Sequence, residues 1–261
     1  METETLCDRQ PATQNLLAAG HNVALTDSTM LKFTLAFIAL IAFLSFQTKA
    51  QAQTNIEIGQ AKIALSGNNS NATQYYFLFE NERFTTPLQE VEFDGEGQGK
   101  FRFKRKDHDE IVNKLIVSTT VRDQIQSLFN ELNFLSSNED YQHKKDFSHL
   151  GTVTIGLARG GKERKVKFNY TTNSALSRLR EIFQNIATQE TRIFEMEIVR
   201  ANDPISMPAQ LRILEGELHS KNIADPQRFV PVLQEMKLDE SVPLIARNHA
   251  ERLLQFIKKG K

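Results

Sequence analysis

The sequence predicts an α+β fold: an antiparallel sheet of two hairpin-plus-helix units with the helices on one face, followed by a short all-helical C-terminal segment. Three observations lead there. Between Tyr75 and Tyr170, apolar residues twice recur with period 2 around glycine-rich turns, the mark of strands with one buried face. After each such stretch, near Val121 and Leu176, the period lengthens to that of a helix. From Ser206 onward only the helical period remains.

The first strand is Tyr75-Tyr76-Phe77-Leu78-Phe79, apolar on both faces as a central strand is. Val91 and Phe93 then alternate with Glu90, Glu92 and Asp94. Beyond Gly95-Glu96-Gly97-Gln98-Gly99, Phe101 and Phe103 alternate with Lys100, Arg102 and Lys104. Taking Gly95 to Gly99 as the turn sets Asp94 opposite Lys100, Glu92 opposite Arg102 and Glu90 opposite Lys104, so that opposite charges meet on a solvated face. A further strand covers about Ile111 to Val117. Thr120-Val121-Arg122-Asp123 has the form of a capping box, opening a helix that buries Val121, Ile125, Leu128, Phe129 and Leu132.

A polar loop from Ser136 to His149 leads to the second hairpin. Its strands carry Val153, Ile155 and Leu157, then Val166, Phe168 and Tyr170, around Arg159-Gly160-Gly161-Lys162. The second helix starts near Asn173, buries Leu176, Leu179, Ile182, Phe183 and Ile186, and continues through Phe194 to about Val199. Ile125, Leu128, Phe129 and Leu132 match Leu179, Ile182, Phe183 and Ile186 at an offset of 54 residues. That fits a strands-then-helix duplication, or simply the stripe that any amphipathic helix buries.

Asn202-Asp203-Pro204 separates an α+β domain, 74–200, from a helical cap, 201–261. Ser206 caps a helix with Pro208 in its first turn and Leu211, Leu214 and Leu218 inward. Asp225-Pro226 caps the next, with Phe229, Val232, Leu233 and Met236 inward. Asp239-Glu240-Ser241 opens the last, with Leu244, Ala246, Ala250, Leu253, Leu254 and Ile257 inward. Three short helices hold together only through tertiary burial, so these faces are predicted to dock on the sheet domain, against the extended second helix near Phe194.

At the other end, residues 1–29 are polar and acidic with no apolar period, a leader that is disordered or non-coding. Met30-Leu31-Lys32, the apolar run Phe33 to Phe46 and Gln47-Thr48-Lys49-Ala50-Gln51-Ala52 follow. These are the n-region, h-region and A-x-A site of a secretory signal peptide, 30–52. The expected start is Met30 and the expected mature terminus Gln53, opening a polar linker over 53–73 that is either flexible or a weak first strand. The h-region of 14 residues is short for a bilayer span. The alternative is an uncleaved single-pass anchor through residues 31–46. The exported location, periplasmic or extracellular, agrees with cysteine usage: the single cysteine, Cys7, lies in the leader, so the mature chain has no disulfide and no thiolate nucleophile.

Among 261 residues, 32 Lys and Arg balance 32 Asp and Glu; from Gln53 the counts are 29 and 28. This balance argues against nucleic acid as a partner and for an unidentified protein or peptide of the cell envelope. A membrane is implied only through the signal segment, should it be retained. No cofactor is implied: Gly95-x-Gly97-x-Gly99-Lys100 resembles a phosphate loop but runs into a strand, and G-x-S-x-G and H-E-x-x-H do not occur.

Two sets of residues stand out as candidate sites. Asp140, His143, Asp146 and His149 recur every three residues in one loop, imidazole and carboxylate being ligands that suit zinc. They define the alternative function, a metal-dependent hydrolase. Lys100, Arg102, Lys104, Lys165 and Lys167 fall on outward strand positions and could form a docking surface for an anionic partner, or an ordinary solvated face with Glu90 and Glu92 opposite.

Two resemblances bear on the fold. Phe134-Leu135, Tyr141, Asp146, Thr152-Val153-Thr154, Gly160-Gly161 and Val166 resemble a family of exported bacterial α+β domains of unknown function, over about 75–190. That resemblance implies export and this fold, and no activity. Phe229 to Leu254, with Pro231, Asp239 and Arg247, resembles one HEAT repeat, which implies a helical pair packed as a cap. The function expected from these readings together is an exported, non-catalytic binding or envelope-associated module.

Overall fold

Six strands form where the period is 2. The structure, a computed structural model, describes residues 72–260. The leader 1–29, the signal peptide 30–52 with its alternative anchor 31–46, and the linker up to residue 71 lie outside the described residues. The strands are β1 (Gln74–Glu80), β2 (Leu88–Asp94), β3 (Gln98–Lys104), β4 (Glu110–Ile116), β5 (Thr152–Arg159) and β6 (Lys162–Phe168). They lie in the order β4-β3-β2-β1-β5-β6, each antiparallel to its neighbours. The apolar β1 is interior, joining the β1–β4 meander to the β5–β6 hairpin.

One face of the sheet is the core. Tyr75, Phe77, Val91, Phe93, Phe101, Phe103, Leu115, Val153, Ile155, Leu157 and Phe168 are all buried there. Helices α1 (Thr119–Glu131) and α2 (Ser174–Asn202) cover them. The rings interlock: Phe77 stacks on Phe183 at 5.3 Å between centroids, and Tyr75 on Phe93 at 4.9 Å. The other face bears the charged members of each alternation and, among the described residues, no helix. Four strands precede α1 and two precede α2, so the 54-residue offset reflects a shared stripe facing one sheet and not two halves of equal topology.

The β2–β3 hairpin differs from expectation in register. Glu92 lies opposite Lys100 and Glu90 opposite Arg102, one pair along from the predicted match. The loop is three residues, not five. Asp94 accepts from the N–H of both Glu96 and Gln98 at 2.9 Å, Gly97 takes φ 82°, and the strand resumes at Gln98. Gly99 is therefore a strand residue, pressed so close to Phe93 and the Glu92 carbonyl that a β-carbon would have no room. Opposite charges still face one another, shifted by one pair.

Helix α1 also starts differently. Its cap is Ser118, whose side chain makes no capping bond, so Asp123 does not fall at the position that closes a box with Thr120. Instead Arg122 ties the first turn down. It donates to Thr119 Oγ1 at 2.9 Å and to the carbonyl of Gly95 in the β2–β3 turn. Helix α2 begins as predicted, Asn173 Oδ1 accepting from the Leu176 N–H at 3.0 Å.

The 29 residues of α2 make a rod of about 43 Å. Its first half packs on the sheet. Its second half turns Ile193, Met196 and Val199 toward a separate core shared with α3 (Met207–His219), α4 (Val230–Leu238) and α5 (Leu244–Lys258). The C-terminal helices thus dock on α2 and not on the strands. Phe194 points the other way, edge-on to Phe103 at 5.3 Å. Pro226–Phe229 forms a 3₁₀ turn ahead of α4, capped by Asp225 through the Gln227 N–H at 3.0 Å. Among the described residues no helix is long and apolar enough to cross a membrane.

Candidate functional site

The bare sheet face carries a lattice of charges fixed by the hairpin register. Arg102 lies between two carboxylates, its Nε donating to Glu90 Oε2 at 2.6 Å and its Nη1 to Glu110 Oε2 at 2.8 Å. Burial pushes the Glu90 carboxyl up, but hydrogen bonds from Arg102 and from the Tyr76 hydroxyl outweigh it and hold the group below the usual range. The Tyr76 phenol is driven well above its ordinary value, by burial first and then by its bond to Glu90. Lys100 pairs with Glu92 at 3.0 Å. Lys165 pairs with Glu163 at 3.1 Å and sits 4.7 Å over the Tyr76 ring.

The five candidate cations therefore share a face but not a row. Lys100, Arg102 and Lys104 are on β3 and Lys165 and Lys167 on β6, with β2, β1 and β5 between them. Four strand spacings of ~4.8 Å separate the two groups by roughly 19 Å. Lys100, Arg102 and Lys165 already engage carboxylates. Lys104 lines a mixed cleft of about 470 Å³ with Glu80, Glu82, Lys106, Asp107 and Glu110.

The 140–149 loop spends its polar atoms on its own backbone and on Asn169. Asp140 Oδ1 accepts from the Gln142 N–H at 3.0 Å, and His143 Nδ1 from the Lys145 N–H at 3.0 Å. Asp146 Oδ1 accepts from the Ser148 N–H at 2.8 Å and from Asn169 Nδ2 at 3.0 Å; the Ser148 bond above all holds its carboxyl below the usual range. The Phe147 ring lies beside both imidazoles, 5.6 Å from His143 and 6.2 Å from His149. Among the described residues, no three His, Cys, Asp or Glu side chains gather as a metal would require. Tyr141 is buried and stacks with Phe134, and Arg164 lies across both rings, donating to the carbonyls of Phe134 and Glu139 at 2.7 Å. Tyr141 and Asp146 thus anchor the loop.

The chain matches no family model and no curated protein.

A feature that periodicity did not single out lies on the helical cap. Between α4 and α5 runs a cleft of about 660 Å³, with Val230, Leu238 and Leu254 as its apolar lining and Lys237, Glu251 and Lys258 at its polar edges. Lys237 and Glu251 pair across it, which lowers the Glu251 carboxyl. At the α4–α5 connection, Leu238 is 77% exposed, Leu244 62% and Ile245 67%. Leu244 was expected inward. Helix α5 begins at Leu244 itself, after Pro243, so this residue precedes the buried stripe of Ala246, Ala250, Leu253 and Ile257. The signal in the sequence was the adjacent pair Leu244-Ile245, of which one helical stripe cannot bury both.

Proposed function

We propose that the chain is an exported, non-catalytic binding module of the cell envelope whose partner is a protein or peptide. The observation that carries this reading is the set of three large aliphatic side chains, each more than 60% exposed, at the α4–α5 connection, where Leu238 also lines the cleft. Scattered apolar residues are ordinary on a surface, but a set clustered at the end of a groove with a polar rim marks a place where another chain docks. The mixed signs at the rim, Lys237 and Lys258 with Glu251, suit a polypeptide better than a polyanion. Export rests on the 30–52 signal pattern and on a mature chain without cysteine.

A photoactivatable residue at Ile245 tests the assignment in intact cells. The expected result is a discrete protein adduct that disappears when Leu238→Asp is added, while the same label at Lys162, on the far edge of the sheet, gives none. Equal labelling from both positions, or no adduct from Ile245, would reject it.

A further inference from the structure

The two edges of the sheet are defended differently. β6 carries Lys162, Arg164, Lys165 and Lys167 among its seven residues, the usual protection against strand addition. β4 carries one lysine, and its bare-face side chains Val112 and Ile116 are 59% and 40% exposed. Among the described residues no strand pairs with its outer edge.

The backbone of that edge has a defined phase. Val117 donates its N–H to the Gly97 carbonyl at 2.8 Å, so with period 2 Leu115, Asn113 and Ile111 bond inward to β3. Glu110, Val112, Lys114 and Ile116 turn their N–H and C=O groups outward. The same four residues put their side chains on the bare face, so whatever pairs with β4 meets Glu110, Val112 and Lys114 in line.

That line is self-complementary. We propose that two copies of the chain pair through β4, edge to edge and antiparallel, about a two-fold axis at Val112. In this register each Glu110 lies opposite Lys114 of the second copy and the two Val112 side chains meet on the axis. About six backbone hydrogen bonds form between outward-turned groups. Arg102 engages one oxygen of Glu110 and leaves the other for the incoming lysine. Lys114, which sits directly opposite Lys100 within the sheet, gains a carboxylate. Moving the axis one step sets Lys114 against Val112 or His108, and centring it on Lys114 sets two like charges together. Only the Val112 axis matches charge, and the contact is isologous and closed, removing the open edge without building a filament. This pairing is independent of the α4–α5 cleft.

Sedimentation of the full chain across the micromolar range, with circular dichroism to confirm folding, reads the association. A monomer–dimer equilibrium is expected. Lys114→Glu should weaken it at least about tenfold, since symmetry places two repulsive pairs in the interface. Glu110→Lys should do the same, and Glu110→Lys with Lys114→Glu together should restore dimers, because the pairs are again opposite in sign. In a Cys7→Ser background, Val112→Cys should oxidise to a covalent dimer, two cysteines on the axis being within disulfide reach. A monomer at every concentration overturns the proposal. So does self-association that Lys114→Glu leaves unchanged, as association through another segment or an additional partner would be. Failure of Val112→Cys to cross-link in a dimeric sample overturns the register.

Discussion

Arg102 shows how far one side chain departs from its apparent class. On an alternating strand it looks like a solvated cation, worth at most ~1 kcal/mol in a surface pair. It instead bridges Glu90 and Glu110, and Glu90 is itself largely buried with Tyr76 as its other partner. Arg102→Ala should therefore cost ~2 kcal/mol, between a surface pair and a fully buried one. Phe103→Ala should cost ~3–5 kcal/mol, because Phe103 is fully buried between Phe101 and Phe194. Urea unfolding of both variants checks the order; an Arg102→Ala cost equal to that of Phe103→Ala would contradict the facing of β3.

A second residue contrast lies where α2 passes from one core to the other. Glu190 is 4% exposed. Burial pushes its carboxyl up, and the amide of Gln189 at 3.0 Å and Arg228 at 3.4 Å offset this only in part. A raised carboxyl favours the protonated fold. Its contribution is complete below the unfolded-state value near 4.5 and is lost as pH rises through the folded value. Glu190→Gln should flatten that loss and raise the melting temperature near neutral pH. Thermal melts of both proteins from about pH 4 to about pH 7 test this; a variant that melts lower at neutral pH would mean that the Arg228 contact dominates.

At the scale of elements, legibility followed how much of an element is fixed by its own sequence. The alternations at Val91–Phe93, Phe101–Phe103 and Val153–Leu157 located strands because each puts one face in a core. Gly160-Gly161 located a two-residue turn because both positions require positive φ, 57° and 75°. The β2–β3 register was harder. Three glycines in five residues did not say which belong to the turn, and the answer depends on Gly99 fitting against Phe93, a tertiary contact. The α1 start was misplaced for a similar reason: it is held by Arg122 reaching the β2–β3 turn, and nothing near Thr120 encodes that reach. Of the candidate site residues, type and spacing were legible but aim was not. Asp140, Asp146 and His143 bond their own loop backbone, and the β3 and β6 cations take neighbouring carboxylates or lie far apart. The adjacent pair Leu244-Ile245 signalled one exposed side chain in the sequence, but that both are exposed depends on α5 beginning at Leu244.

For the whole molecule, the relation of the two cores decides how it fails. The first, from Tyr75 to Ala187, uses no side chain beyond α2 except the flanking Ala224; the second borrows Ile193, Met196 and Val199 from α2. A chain ending at Asp203 should keep the sheet but lose what covers those three residues, and should leave Glu190 without Arg228. It should melt well below the full chain and bind a hydrophobic dye. An unchanged melt without dye binding would show that α3–α5 contribute nothing to the stability of the sheet.

Because a single rod serves both cores, its pitch fixes their relative bearing. Phe194 and Met196 are two residues apart, about 200° around the helix at 3.6 residues per turn, and so address opposite sides. The second core is thereby set on the side of α2 away from Phe103 by counting residues and by no linker. One residue added to α2 between Ala187 and Ile193 would swing the cap about 100°, advance it ~1.5 Å and carry Phe194 off Phe103. Length in this stretch of the chain is an angular coordinate, and any variant that holds the cap at the same bearing must keep it to the residue.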